Sequence, residues 1–171
     1  MHVIKTKLDG VLQIQLDVFE DHRGTYIETY NENLYRQHGI DLKFVQDDIS
    51  VSYKSVLRGI HGDMVTWKLI SCLYGRFYFV VVNCNEESLQ FGQWLSFTLS
   101  DQNHTQILVP PKYGNAHLVL SDKTIFHYKQ NTYYKPDLQV TYKWDDPLFN
   151  IWWPIKNPIL SERDEQGHLI K

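Results

Sequence analysis

The segment Arg58-Gly59-Ile60-His61-Gly62-Asp63 sets a guanidinium and an imidazole at the end of an apolar stretch. Imidazole is the side chain best suited to take a proton near neutral pH. Lys68 opens the next apolar stretch, and an ammonium there can stabilise an oxyanion as it develops. In Ile125-Phe126-His127-Tyr128-Lys129, period-2 alternation puts Phe126 and Tyr128 on one face and His127 on the other. The Tyr128 phenol can give or take a proton. Asp164 follows Leu160-Ser161-Glu162-Arg163, and a carboxylate there can hold an imidazole in one tautomer and favour its protonated form. Arg23, beside Asp21 and Gly24 with Glu28 beyond it, lies at a turn where a guanidinium can grip phosphate through two parallel bonds.

Each of these residues also has a plain structural use. A strand-end histidine is often simply exposed, a lysine snorkels, a tyrosine fills a β core, and a tail carboxylate is solvated. A metal reading draws on His61, Asp63 and His117, the last in Pro110-Pro111-Lys112-Tyr113-Gly114-Asn115-Ala116-His117. Cupin-type metal sites use a His-X-His-like pair with a distant Glu and His. This chain has no second histidine beside His61, so that set is incomplete. Cys72 and Cys84 read as free thiols on the two arms of one hairpin in a reducing compartment, with no zinc-type spacing.

The elements that must position these groups are mostly strands. Gly10 to Asp17 alternates in the manner of a half-buried strand. Phe19 to Gly24 reads as a turn, followed by a strand from Thr25 to Tyr30. Asn31 to Gly39 is the one plausible helix, with Asn31 as cap and Leu34 and Tyr35 as its apolar face. Strands are expected at Phe44 to Tyr53 and Val56 to His61, then at Lys68 to Tyr74 and Phe77 to Asn83 as a hairpin about Gly75-Arg76. Further strands are expected at Phe91 to Ser100, Gln106 to Val109, His117 to Leu120, Thr124 to Gln130 and Val140 to Trp144. Pro110-Pro111 interrupts the ladder, and the tail reads as loop with a turn of helix. Short strands punctuated by turns imply an all-β sandwich or barrel, with a jelly roll the form that can hold a ligand.

The 171 residues carry a formal net charge of −3 and 14% aromatics. The length suits a single domain, 1–171. The charge argues against a nucleic-acid or anionic-membrane partner, while leaving room for a basic pocket that binds one small anion. There is no apolar run long enough for a membrane span. The opening Met1-His2-Val3-Ile4-Lys5-Thr6-Lys7 lacks the apolar core of a signal peptide, which fits a cytoplasmic protein.

Read together, the motifs resemble the nucleotide-sugar 3,5-epimerase family typified by dTDP-4-dehydrorhamnose 3,5-epimerase. Its signatures are matched in order by Phe19 with Asp21, Arg23-Gly24 and Glu28, by Phe44-Val45-Gln46-Asp47-Asp48 with Ser50 and Ser52, and by Val56-Leu57-Arg58-Gly59-Ile60-His61. Lys68-Leu69, Leu118-Val119-Leu120-Ser121-Asp122, Tyr128-Lys129, Trp144-Asp145-Asp146-Pro147 and Pro158-Ile159-Leu160-Ser161-Glu162-Arg163-Asp164 follow. The resemblance implies a cupin-type jelly-roll barrel with short peripheral helices, needing no metal or other cofactor. It implies a homodimer with exchanged N-terminal strands, acting on a nucleotide-diphosphate sugar. His61 would be the base beside the sugar ketone, Asp164 its partner, Tyr128 the acid on the opposite face and Lys68 the stabiliser of the enolate oxygen. Arg58 would hold the diphosphate. Arg23 and Glu28 would serve the nucleotide from the neighbouring subunit, with Gln46 and Asp48 lining the site.

Three positions depart from the family pattern. Gly62-Asp63 replaces the usual Tyr-Gln, and the loop to Lys68 is shorter. Asn115 stands where the Pro-rich loop carries a histidine, and His117 where an aromatic is usual. Asp48 stands where asparagine is common. The first two variants resemble a branch acting on GDP-linked 4-keto heptoses in bacterial capsule biosynthesis, and Asp63, Asn115 and His117 are accordingly expected to touch the substrate. The competing readings are a metal-dependent cupin and a non-catalytic sugar-binding jelly roll.

Overall fold

Alternation along the strands sorts the chain into two facing sheets. In the computed structural model, which describes residues 1–170, the strands are β1 (His2–Lys5), β2 (Leu12–Gln15), β3 (Phe19–Asp21), β4 (Gly24–Tyr26), β5 (Gln46–Tyr53), β6 (Leu57–Gly62), β7 (Lys68–Tyr74), β8 (Arg76–Asn83), β9 (Trp94–Ser100), β10 (Thr105–Val109), β11 (Tyr113–Val119), β12 (Lys123–Gln130) and β13 (Val140–Thr141). One sheet runs β1-β2-β10-β7-β12-β5 and the other β13-β6-β11-β8-β9. Two short helices, α1 (Glu32–Gln37) and α2 (Glu162–Glu165), lie at the periphery. This is the cupin-type jelly roll.

The core lies between the sheets. Ile70, Cys72, Ile107 and Phe126 come from the six-stranded side, and Phe77, Phe79, Val81 and Leu99 from the other. Each such side chain stabilises the fold by roughly 1.5–3 kcal/mol on full burial. Part of the aromatic excess resides here: Phe77, Phe79 and Phe126 pack with centroids 5.3–6.2 Å apart. The helix starts as its sequence dictates, with Asn31 Oδ1 accepting from the Leu34 N–H at 3.2 Å.

Four sequence expectations need correction. Gly75 does not turn a hairpin: β7 pairs with β10 and β12, and β8 pairs with β9 and β11. Gly75, at φ +78°, instead carries the chain from one sheet to the other, where a Cβ would collide with the Lys123 carbonyl. Cys72 and Cys84 therefore do not share a hairpin. Both are free, and burial pushes both thiols up to about 12.

The other corrections concern strand limits. Phe19 to Gly24 contains a strand pair, β3 with β4, and β4 stops at Tyr26. β11 starts at Tyr113, directly after the prolines, so Asn115 and His117 are both strand residues. β1 and β2 pair in this chain's own sheet, next to β10. The N-terminal strands that stand apart are β3 and β4, whose residues are exposed.

Candidate active site

A cavity of about 250 Å³ lies between the sheets. Strand parity builds the wall on the six-stranded side. Lys68 and Ile70 of β7, Phe126, Tyr128 and Gln130 of β12, and Ser50 of β5 are all even-numbered neighbours on one face, in register as Tyr128↔Ile70, Gln130↔Lys68 and Phe126↔Ser50.

The opposite wall depends on an irregularity. Arg58 and His61 are three apart on β6, a spacing that sends side chains to opposite faces of a regular strand. Here His117 faces Arg58 and Asn115 faces His61, with a register shift between them. The extra residue of this bulge turns Arg58, His61, Asn115 and His117 toward the same cavity. Gly59 makes the bulge possible: its φ is +122°, and a Cβ would lie 2.6 Å from the Asn115 carbonyl oxygen.

His61 and Asp164 meet across 103 residues of sequence, Nε2 to Oδ1 at 2.6 Å. Asp164 is buried at the start of α2, where Ser161 Oγ donates to its Oδ2 at 2.9 Å. Burial alone would raise this carboxyl. The hydrogen bonds from His61, Ser161 and the Gly59 backbone outweigh it and leave the group below the ordinary aspartate value. An ionised carboxylate only accepts, so Nε2 carries the proton and Nδ1 keeps the lone pair.

On the facing wall, burial pushes the Lys68 ammonium below the usual lysine value. Asp63 opposes that shift and Arg163 adds to it. Tyr128 is pushed up to about 12, first by burial and then by the charge and hydrogen bonding of Asp48, its register partner on β5, with Tyr134 adding to the effect. The phenol is therefore protonated at neutral pH. Such a cavity can take a proton on one side, return one from the other, and hold negative charge between them.

Several expected contacts are not formed within this chain. The Asp63 carboxylate is committed to the Val65 and Thr66 N–H groups at 2.9 and 2.7 Å, and to Gln139 Nε2 at 2.9 Å. It holds Gln139, which lines the cavity, rather than facing the cavity itself. His61, Asp63 and His117 thus form no cluster, and among the described residues no three His, Cys, Asp or Glu side chains converge to hold a metal.

Arg23 is exposed and tied to Asp21 at 2.6 Å on the β3–β4 pair, and Glu28 is exposed as well; neither lines the cavity. Gln46 and Asp48 share the face of β5 that carries Ser50, beside the cavity but not lining it. Gln46 Nε2 donates to Asp48 Oδ2 at 2.8 Å, and Gln46 Oε1 accepts from the Tyr134 N–H. The cations on the cavity are Arg58, Lys68 and Arg163. Gln139, Arg163 and Gln130 complete the cavity lining beyond the expected residues. Arg163 had a signal, its place beside Asp164 in one helical turn, whereas Gln139 had none.

A cupin-type jelly roll with an acid–base cavity between its sheets is the class that fold and site define. Residues 5–171 match the dTDP-4-dehydrorhamnose 3,5-epimerase family. A dTDP-4-dehydrorhamnose 3,5-epimerase of Shigella flexneri is 37% identical over 98% of this chain and 94% of its own. The Legionella pneumophila epimerase, solved in complex with dTDP-4-keto-L-rhamnose, superposes with a TM-score of 0.94 at 34% identity, covering 98% of this chain and 92% of that one. The Bacillus anthracis enzyme, solved with TDP and PPi bound, gives a TM-score of 0.95 at 34% identity, covering 99% of both chains. The chain belongs to the dTDP-4-dehydrorhamnose 3,5-epimerase family, whose members are isomerases. Among the described residues no helix is long and apolar enough to cross a membrane.

Proposed function

We propose that this protein inverts one or both of the carbons flanking the ketone of a nucleotide-diphosphate 4-keto-deoxy sugar, C3 and C5. The observation that carries the reading is the division of labour between the sheets: His61–Asp164 on one wall, Tyr128 and Lys68 on the other. A C–H beside a ketone is weakly acidic, so the enolate needs stabilisation as it forms. His61 Nδ1 takes the proton, and Asp164 stabilises the resulting imidazolium. Lys68 meets the charge on the C4 oxygen. Tyr128 returns a proton from the opposite face, which a one-base site cannot do. Each positioned acid or base contributes about 10²–10⁴-fold. Arg58 and Arg163 suit the diphosphate, as dTDP-linked ligands in the relatives suggest.

Arg23 and Glu28 serve a neighbouring copy in this reading, in a homodimer. Two features support it: both lie away from this chain's own cavity, and the edge strand β5 leaves Ile49, Val51 and Tyr53 exposed. A dTDP-linked 4-keto-6-deoxyhexose is the substrate that the family favours. A GDP-linked 4-keto heptose of capsule biosynthesis is a second reading, favoured by Asn115 and His117 in the wall and by Gly62-Asp63 after the base.

Incubation in D₂O with dTDP- and GDP-linked 4-keto sugars, followed by mass spectrometry, tests both. Two deuteriums mean exchange at both C3 and C5 and one means a single centre, and NMR of the product reads which centres are inverted. No uptake from any of them refutes the proposal. His61→Asn is expected to abolish uptake while leaving the fold intact, as circular dichroism would show.

A further inference from the structure

We propose that the His117 imidazole, with Ser50 Oγ, forms a recognition site for a sugar hydroxyl in the cavity wall, so that His117 determines which sugars are accepted. This rests on the sugar-epimerase reading above and adds a group that the proton-transfer steps do not use.

His117 is 4% exposed, lines the cavity and stacks on Phe126 with centroids 4.1 Å apart and planes 8° from parallel. Its Nε2 is buried without a hydrogen-bond partner. Ser50 Oγ is likewise buried, unpartnered and on the same cavity. Ser50 stands opposite Phe126 in the β5–β12 register, so the serine and the histidine flank one phenyl ring. Among the described residues three buried side-chain polar atoms lack partners, and these two belong to one site.

A buried polar atom left unpaired is costly, and native structures keep few without a reason. Stacking on Phe126 does not require an imidazole, since a phenyl ring would fill the slot with no polar atom to desolvate. What the imidazole adds is a donor and an acceptor. Burial, reinforced by the charge of Arg58, pushes His117 down to about 3, so the ring is neutral near neutral pH.

A neutral imidazole has one N–H and one lone pair. That does not suit a phosphate, which Arg58 and Arg163 are placed to meet, nor an enolate oxygen, which falls to Lys68. It suits a hydroxyl, which both donates and accepts. Ser50 Oγ offers the complementary half, so a hydroxyl seated there can give to one and take from the other.

The experiment compares wild type with H117F and H117Q. Ligands are dTDP alone, dTDP-4-keto-6-deoxyglucose, its 2-deoxy counterpart and a GDP-linked 4-keto heptose; readouts are ligand affinity, KM and kcat for deuterium uptake. Stranding a hydroxyl in the cavity weakens sugar binding by about 5- to 150-fold. The expected result for H117F is a KM raised within that range on the sugar whose hydroxyl is held, with dTDP affinity within twofold of wild type. H117Q, which keeps a donor and an acceptor, recovers part of the loss. On the analogue lacking that hydroxyl, wild type and H117F are expected to coincide.

The ligand-free melting temperature of H117F should equal or exceed that of wild type, because an unpaired polar atom has been removed. If H117F does not fold, H117M is read in its place. Wild-type KM in the apolar variant for every sugar overturns the inference, even where wild type exchanges deuterium normally. Absence of exchange and of sugar binding in wild type itself overturns the epimerase reading instead.

Discussion

Replacing Asp164 by Asn removes one charge and keeps the shape. The carboxylate is 2% exposed and accepts from His61 Nε2 at 2.6 Å. A hydrogen bond to a charged partner contributes roughly 1.5–3 kcal/mol. If that interaction holds the proton on the imidazole after its transfer, its loss slows deuterium uptake by about 10- to 150-fold. The amide can also seat with its NH₂ toward His61. The imidazole proton then moves to Nδ1 and the base is blocked, so the loss approaches ~10⁴.

The same substitution has a stability signature. The folded-state carboxyl lies below the ordinary value, so its contribution is fully present above about pH 4 and is lost as the pH falls through the folded value. Wild type is therefore expected to lose melting temperature below about pH 4 more steeply than Asp164→Asn. Uptake is followed by mass spectrometry and unfolding by circular dichroism. Exchange within twofold of wild type at every pH would refute the reasoning, because a charge this close to the base could not then be assisting it.

Three further outcomes are expected. Tyr128→Phe leaves the His61 side intact, so it should still wash deuterium into substrate while product epimer, followed by NMR, falls about 10²–10⁴-fold. Lys68→Met should lower kcat by roughly 10²–10³ yet raise the melting temperature at pH 7: the folded ammonium sits below the lysine value, so it penalises the fold below that value and the penalty lifts as pH rises toward ~10.4. The wild-type gain in stability on going alkaline should therefore be missing in Lys68→Met. Gly59→Ala forces a Cβ against the Asn115 carbonyl at φ +122° and should destabilise the protein by at least about 1–3 kcal/mol, with loss of exchange, measured by denaturant unfolding.

Local pattern carried much of this architecture. The alternation of Phe126 and Tyr128, the Asn31 cap and the apolar strands are visible in the chain because each depends on near neighbours. Pairing across the barrel does not. Lys68–Tyr74 and Arg76–Asn83 look like hairpin arms because a glycine joins them, and only the pairing of β7 with β12 and of β8 with β11 shows that Gly75 is a passage between sheets. The bulge at Gly59 is hidden for the same reason: a spacing of three says that Arg58 and His61 diverge, and only the shifted register against β11 brings them together. Asp164 was legible as a candidate through family likeness, while its burial was not, since nothing in Ser161-Glu162-Arg163-Asp164 distinguishes a docked turn from a solvated tail. Asp63 misled because its position after His61 suggests the cavity, whereas the local turn at Val65 and Thr66 consumes it.

In the proposed reaction the proton acceptor and the proton donor stand on separate sheets, so the distance between them is a property of the filling. Phe77, Phe79 and Leu99 from one side, and Ile107 from the other, act as spacers that set how far the His61 wall stands from the Tyr128 wall. A change of one methylene among these spacers alters no reacting group, yet it tilts the balance between returning a proton to the face it left and delivering one to the other. On that reading stereochemical fidelity is tunable from the packing, at positions outside the cavity lining.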